Sequence, residues 1–451
     1  MSRTPRNRRS RSRTPNRFRA RAAATCTVGA LAAGLFVSAP FGERDSDTET
    51  ELLSTEELSD ATSSQALWDQ IEQPGPEHLS AEDEEFFEAS SPLPEGQPGD
   101  IIRAEPADAY TDALKVGHFP ADVWRIMYLS TDALGEPMAV SGTVMVPHAE
   151  WTGEGERPLV AFAIGTHGLG AHCAPSIGLE HGLEYEASLM ERVVDDGYAL
   201  AISDYQGLGT SGDHTFMVGH SQGAAVLDSL RAATRLPEAQ LPETSPMGVT
   251  GFSQGGSSAV WAAQMHPEYA PELPLTGVAA GGVPADLNPV AENLDGGPYF
   301  SLLAFATHGY NSAYPELSLD DHLTERGATL FDDVRNRCVV DAVPRGMFRS
   351  MDEAFTSDLL NSPEWQERLT ANKPGESTPT VPLYLYHSVL DDVIPIGQAE
   401  ELRDTYCAAG VEVQWKRTFS GPHVASLYLD NPGAHKWMGD RFAGKPVNST
   451  C

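Results

Sequence analysis

Ser253, Asp391 and His423 follow one another along this 451-residue chain in an order that could make a nucleophile. A serine hydroxyl attacks a carbonyl only when a histidine takes its proton. That histidine needs a carboxylate to hold its tautomer. Ser253 lies in Gly251-Phe252-Ser253-Gln254-Gly255, a G-x-S-x-G motif, which carries meaning only where a strand enters and a helix leaves. Here Gly248-Val249-Thr250 enters and Gly256-Ser257-Ser258-Ala259 leaves. The order serine, acid, histidine is that of hydrolases on a mostly parallel sheet.

Competing residues exist for each role. Gly219-His220-Ser221-Gln222-Gly223 also matches the motif, but residues 212–218 before it are too short and polar for a central strand. Ser221 reads instead as the N-cap of a helix over 222–234. Asp391 heads an Asp-x-x-Ile-Pro pattern, and Asp392 beside it is read as pointing elsewhere on the turn. Among 14 histidines, His435 falls beyond the expected loop and His387 sits on a strand, where a structural hydrogen bond is the simpler reading. An oxyanion needs two donors. The backbone amides of Gln254 and of His167, in Gly165-Thr166-His167-Gly168, are the candidates.

These residues must be positioned by a sheet. Alternation over 123–130 and 138–147 predicts an antiparallel pair. Apolar runs at 158–164 and 198–202 predict strands buried on both faces, and further strands are predicted at 248–252, 275–279 and 381–387, with a last strand at 411–418. Helical spacing falls between them at 184–196, 221–236, 260–269 and 398–407. The expected class is α/β, a mostly parallel doubly wound sheet of the α/β-hydrolase kind. The alternation breaks between 289 and 379, where helix-like pieces predict an inserted helical cap or lid. Within it, Tyr299-Phe300-Ser301-Leu302-Leu303-Ala304-Phe305 is too apolar for a solvated face, and belongs to the cap's core or to an acyl pocket.

Charge and cysteines bound the rest. Of 30 Lys and Arg, nine are arginines within the first 21 positions, so the remainder carries 21 against 64 acids, or −43. Nucleic acid is excluded as a partner, because phosphate binding needs clustered cations. The arginines, the apolar stretch 22–37 and Val37-Ser38-Ala39 read as an export signal over 1–39, with an uncleaved anchor as the alternative. Residues 40–99 are rich in Glu, Asp, Ser, Thr and Pro and are expected to be largely disordered; order begins near Asp100, and 100–451 forms the catalytic domain. Cys26 lies in the signal. Cys173, Cys338, Cys407 and Cys451 remain, an even number with three possible connectivities. No cysteine or histidine spacing calls for a metal, and no cofactor is expected.

With those residues in hand, the chain resembles the secretory lipase family. The resemblance runs through 132–147, Cys173-Ala174-Pro175-Ser176, 225–233, 251–261 with Tyr269-Ala270-Pro271-Glu272-Leu273, Gly296-Gly297-Pro298, Tyr314-Pro315-Glu316-Leu317 and 387–395. It implies an α/β-hydrolase with a helical lid, Ser253 as nucleophile, Asp391 as acid and His423 as base. It also implies bridges Cys173–Cys338 and Cys407–Cys451. His167 matches the family's upstream oxyanion donor, where better-known members carry an acidic residue. The expected activity is ester hydrolysis on acyl esters or lipids, with lipid-interface contact through the lid. A small-molecule esterase or acyltransferase is the rival within the fold. A catalytically inactive binding protein is the rival outside it. A peptidase is disfavoured because no propeller-sized domain restricts access.

Overall fold

The computed structural model describes Leu79 and residues 81–451; the export-signal reading of 1–39, and most of the acidic segment, lie outside the described residues. Nine strands form one sheet: β1 (Ile101–Pro106), β2 (Ala121–Thr131), β3 (Pro137–Pro147), β4 (Leu159–Ala163), β5 (Ala199–Ser203), β6 (Met247–Phe252), β7 (Leu275–Gly281), β8 (Leu383–Ser388) and β9 (Val413–Thr418). Their spatial order is β1-β2-β3-β5-β4-β6-β7-β8-β9. The first three strands and the β3–β5 pair run antiparallel, and every other pairing is parallel. This is the α/β-hydrolase sheet.

The apolar runs behave as their composition dictates. β4, β5, β6 and β8 are buried along their whole length, because parallel strands are covered by crossover helices. Helix Gly219–Arg235 packs on Gln254–Tyr269, and Ala187–Asp195 packs on His423–Phe442. The sequence reading misses β1. Its Ile-Ile-Arg-Ala-Glu-Pro run stays half-exposed at the sheet edge, so it carries no buried stripe to betray it. The strand feeding the His167 loop is therefore fourth in the chain.

Order also begins before Asp100, earlier than the composition of residues 40–99 leads one to expect. Residues Ala81–Phe87 are helical, and Phe86 and Phe87 are only 5% and 1% exposed. Asp83 reaches Arg125 at 2.6 Å, and Arg125 lies 4.2 Å over the Phe86 ring. Arg103 donates to the Phe86 and Glu88 carbonyls at 3.0 and 2.9 Å. Two adjacent aromatics and one buried arginine outweigh the acidity of the stretch around them.

Between β7 and β8 the chain leaves the sheet and builds helices Leu287–Leu294, Phe300–Ala313, Glu325–Val334, Val339–Gly346, Met351–Ala354 and Pro363–Ala371. They share an apolar core containing Phe300, Phe305, Phe331, Phe355 and Trp365. A disulfide joins Cys338 of this insertion to Cys173, and a second joins Cys407 to Cys451. Among the described residues, no helix is long and apolar enough to cross a membrane.

Candidate active site

β6 delivers Ser253 into a turn that only a close approach of strand and helix permits. Ser253 has φ 59° and ψ −120°, a conformation that costs a non-glycine residue about 1–3 kcal/mol and persists only where its surroundings enforce it. The surroundings here are backbone. Helix Gln254–Tyr269 starts at the next residue, and a Cβ on Gly255 would strike the Ala163 carbonyl at the end of β4. The Ser253 N–H donates to the Gly281 carbonyl at 2.9 Å.

The histidine and the carboxylate arrive from the neighbouring strand ends. His423 opens helix His423–Phe442; the sequence reading has it in a loop. Its Nε2 stands 2.9 Å from Ser253 Oγ and its Nδ1 stands 2.7 Å from Asp391 Oδ2. A carboxylate only accepts, so Nδ1 carries the proton and Nε2 is left to accept from the serine hydroxyl. Asp391 Oδ1 accepts the N–H groups of Val393 and Ile394 at 3.0 and 2.8 Å. Burial would raise its pKa. Hydrogen bonds from His387 and His423, and the Ile394 N–H, outweigh burial and hold the carboxyl well below the usual range. Asp391 is thus ionised wherever the protein is folded near neutrality.

The competitors make other contacts. Asp392 Oδ1 accepts the backbone N–H of His423 at 3.0 Å and so addresses the main chain of the same residue. His387 Nε2 donates to the Ile394 carbonyl at 3.0 Å and lies 3.4 Å from Asp391 Oδ2. His435 pairs with Asp196 at 2.7 Å. Ser221 is the third residue of helix Gly219–Arg235, and Val218 is the N-cap. The expectation of Ser221 as N-cap is therefore corrected: Gly219 and His220 are already helical. Its hydroxyl is fully buried and donates to Gln206 Oε1 at 2.8 Å.

Gln254 is pinned by its side chain. Its Nε2 donates to His214 Nε2 at 3.1 Å, while His214 Nδ1 donates to the Gln206 carbonyl at 2.7 Å. Burial lowers the His214 pKa to about 4, so this imidazole is neutral and free to accept.

The loop after β4 is held on one side by the inserted helices. The His167 carbonyl accepts the Val339 N–H at 2.8 Å, and the Leu169 N–H donates to the Arg337 carbonyl at 3.1 Å. Gly168 takes φ +126°, and a Cβ there would strike the same Arg337 carbonyl. The imidazole of His167 is buried on Glu184 at 2.7 Å. Thr166, which the sequence reading passes over, shares with Ser253 the wall of a cleft.

That cleft is narrow and opens to solvent. Its walls are almost wholly apolar, with Met217, Leu302, Leu303, Ala306, Val393 and Ile394 among them. The apolar run that begins at Tyr299 is therefore divided. Leu302, Leu303 and Ala306 face the cleft, whereas Phe300 and Phe305 are 0% exposed in the core of the insertion. Leu303 belongs to both, so this one helix joins the cleft wall to the core of the insertion.

Comparison with known proteins agrees with this fold. The secretory lipase family model matches residues 179–450. The chain is 29% identical to a secreted triacylglycerol lipase of Malassezia restricta, over 80% of this chain and 79% of that protein. It is 28% identical to a Mycobacterium tuberculosis protein named a "probable inactive lipase", over 82% and 84%. Among solved structures, Candida antarctica lipase A superposes with a TM-score of 0.73 at 22% identity, over 84% of this chain and 88% of that one. The rice cell wall degrading esterase LipA of Xanthomonas oryzae superposes with a TM-score of 0.62 at 20% identity, over 76% and 97%.

Proposed function

The chain belongs to the secretory lipase family, and from that premise we propose that it is an exported serine carboxylic-ester hydrolase acting on acyl esters, acylglycerols included. The reading is carried by one observation, the continuous contact from Ser253 Oγ through both nitrogens of His423 to Asp391. His423 Nε2 takes the hydroxyl proton as Oγ bonds to the ester carbonyl carbon. The carbonyl oxygen becomes an oxyanion, met by the backbone N–H groups of Gln254 and His167. Collapse breaks the bond to the alcohol, which leaves with the proton from His423. Water then repeats the sequence on the acyl-enzyme and releases the carboxylic acid. The apolar cleft beside Ser253 receives the acyl chain, each methylene adding about 0.8 kcal/mol on burial.

A catalytically inactive binding protein is the second reading, brought forward by the name of the Mycobacterium tuberculosis relative. The strained Ser253 backbone disfavours it, since a binding-only role does not require a serine held at φ 59°. Two disulfides suit an oxidising exterior, in keeping with residues 1–39 as an export signal; 40–99 is the acidic segment ahead of the catalytic domain, and 289–379 its lid. Val340, Met347 and Phe348 are exposed on that insertion, where a lipid interface would touch it. Purified protein assayed on p-nitrophenyl esters of increasing acyl length tests the reading. Hydrolysis that rises over several carbons is expected; no turnover of any ester would leave the binding protein.

A further inference from the structure

Three consecutive side chains hold three consecutive residues of the loop after β4, in reverse order. Glu186 Oε2 accepts the Gly165 N–H at 2.7 Å, the Tyr185 hydroxyl donates to the Thr166 carbonyl at 3.1 Å, and Glu184 Oε2 meets His167 Nε2 at 2.7 Å. The three are tied together. The Glu186 N–H donates to Glu184 Oε1 at 2.8 Å, and the Tyr185 ring stacks on the His167 imidazole at 4.8 Å. The segment also reaches the catalytic helix, because the Tyr428 hydroxyl donates to the Tyr185 carbonyl at 2.8 Å. Tyr428 lies five residues beyond His423 on that helix.

Two buried carboxylates are a costly way to hold a loop. Glu184 and Glu186 are 5% and 1% exposed. The imidazole between them finds an acceptor at each nitrogen, Glu184 at Nε2 and the Gly165 carbonyl at Nδ1 (3.1 Å), the pattern of a doubly protonated ring. We infer that Glu184-Tyr185-Glu186 is a proton-loaded clasp that positions the His167 amide for the oxyanion, and that ionisation of Glu186 beside Glu184 loosens it. This rests on the hydrolase reading above.

The electrostatics run the same way. Burial raises the Glu186 pKa, Glu184 raises it further, and His167 with the Gly165 N–H pulls back, leaving it at about 8. Burial alone would lower His167, but Glu184's charge and hydrogen bond carry it to about 9. Burial and the neighbouring Glu184 thus favour the protonated form of Glu186, and raising the pH through about 8 adds its charge beside Glu184 with no new cation. The other groups facing the cluster are Asp204, which Ser141 and Ser176 hold at 2.7 and 2.6 Å, neutral His214, and the hydroxyls of Tyr185, Tyr205, Tyr386 and Tyr428, whose pKa values are all raised. None of these supplies a countercharge.

The test is kcat and KM on p-nitrophenyl butyrate from pH 6 to 10, with active sites counted by a fluorophosphonate and thermal midpoints recorded. Glu186→Gln keeps an oxygen for the Gly165 N–H but cannot ionise, so its ratio of kcat at pH 9 to pH 7 should exceed the wild-type ratio at least about fivefold. Glu184→Gln should lower kcat about tenfold with KM within about twofold, because an oxyanion exists only after the ground state. Tyr185→Phe, at a part-exposed position that tolerates the loss of a hydroxyl, should lower kcat about threefold with full labelling. A Glu186→Gln pH curve that overlays the wild type overturns the clasp. So do kcat losses that merely track lost active sites or lowered midpoints. A wild type that takes no label fails in a different place, at the hydrolase reading itself.

Discussion

Asp391 and His423 meet at 2.7 Å between Oδ2 and Nδ1, while the neighbouring Asp392 takes only the backbone N–H of the same histidine. The two aspartates are therefore unequal in what they control, one the tautomer of the ring and the other the path of the main chain. Asp391→Asn should lower kcat by about 10⁴ through the wrong tautomer. Asp392→Asn keeps its accepting oxygen and should cost less than about tenfold. Steady-state kinetics on one short-chain ester compare them directly, and equal losses would remove the distinction.

The apolar helix Phe300–Ala313 predicts a separation of stability from selectivity. Leu302→Ala, on the cleft wall, should move the preferred acyl length with little change in thermal midpoint. Phe305→Ala, fully buried in the core of the insertion, should cost about 3–5 kcal/mol and leave the profile unchanged. Chain-length series and denaturant curves on both variants check it.

Phe87→Ala tests whether the helix before β1 belongs to the folded body. The side chain is 1% exposed, so truncation should destabilise by about 3–5 kcal/mol. A solvated linker would lose nothing measurable in the denaturant midpoint.

Stability should depend on pH in opposite senses at the two ends of the scale. Glu186 and His167 both have folded pKa values above their ordinary ones of 4.5 and 6.5. Their contributions are complete below those ordinary values and are lost as pH rises through about 8 and about 9. Asp391 is depressed below 3.8, so its contribution is present above that value and is lost on acidification. Thermal midpoints should fall from pH 7 to 9.5 in the wild type and fall less in Glu186→Gln, while Asp391→Asn should flatten only the acid side.

Much of this architecture is legible in the sequence because its signals are local. The run into Phe252 is wholly buried, and the strand–turn–helix around Ser253 is written in glycines that backbone contacts require. Continuous apolar runs mark the parallel strands for the same reason. What escapes is set by neighbours. β1 lacks an apolar face because it is an edge, and Phe86–Phe87, visible as a pair that could dock, are outweighed in the sequence by the acids around them. Glu184 and Glu186 look like the polar face of a helix over 184–196, yet the helix begins at Ala187 with Glu186 as its N-cap. Only the fold turns both carboxylates inward onto the His167 loop.

The claim that Ser253 is the nucleophile and Ser221 is a structural helix residue has a direct measurement. Wild type, Ser253→Ala and Ser221→Ala are incubated with a fluorophosphonate, the labelled peptide is identified by mass spectrometry, and kcat is measured on the same preparations. Label is expected on the Ser253 peptide, with no label and at least about a thousandfold loss of kcat in Ser253→Ala, and labelling with most activity retained in Ser221→Ala. Label on the Ser221 peptide, or an active Ser253→Ala, would contradict it.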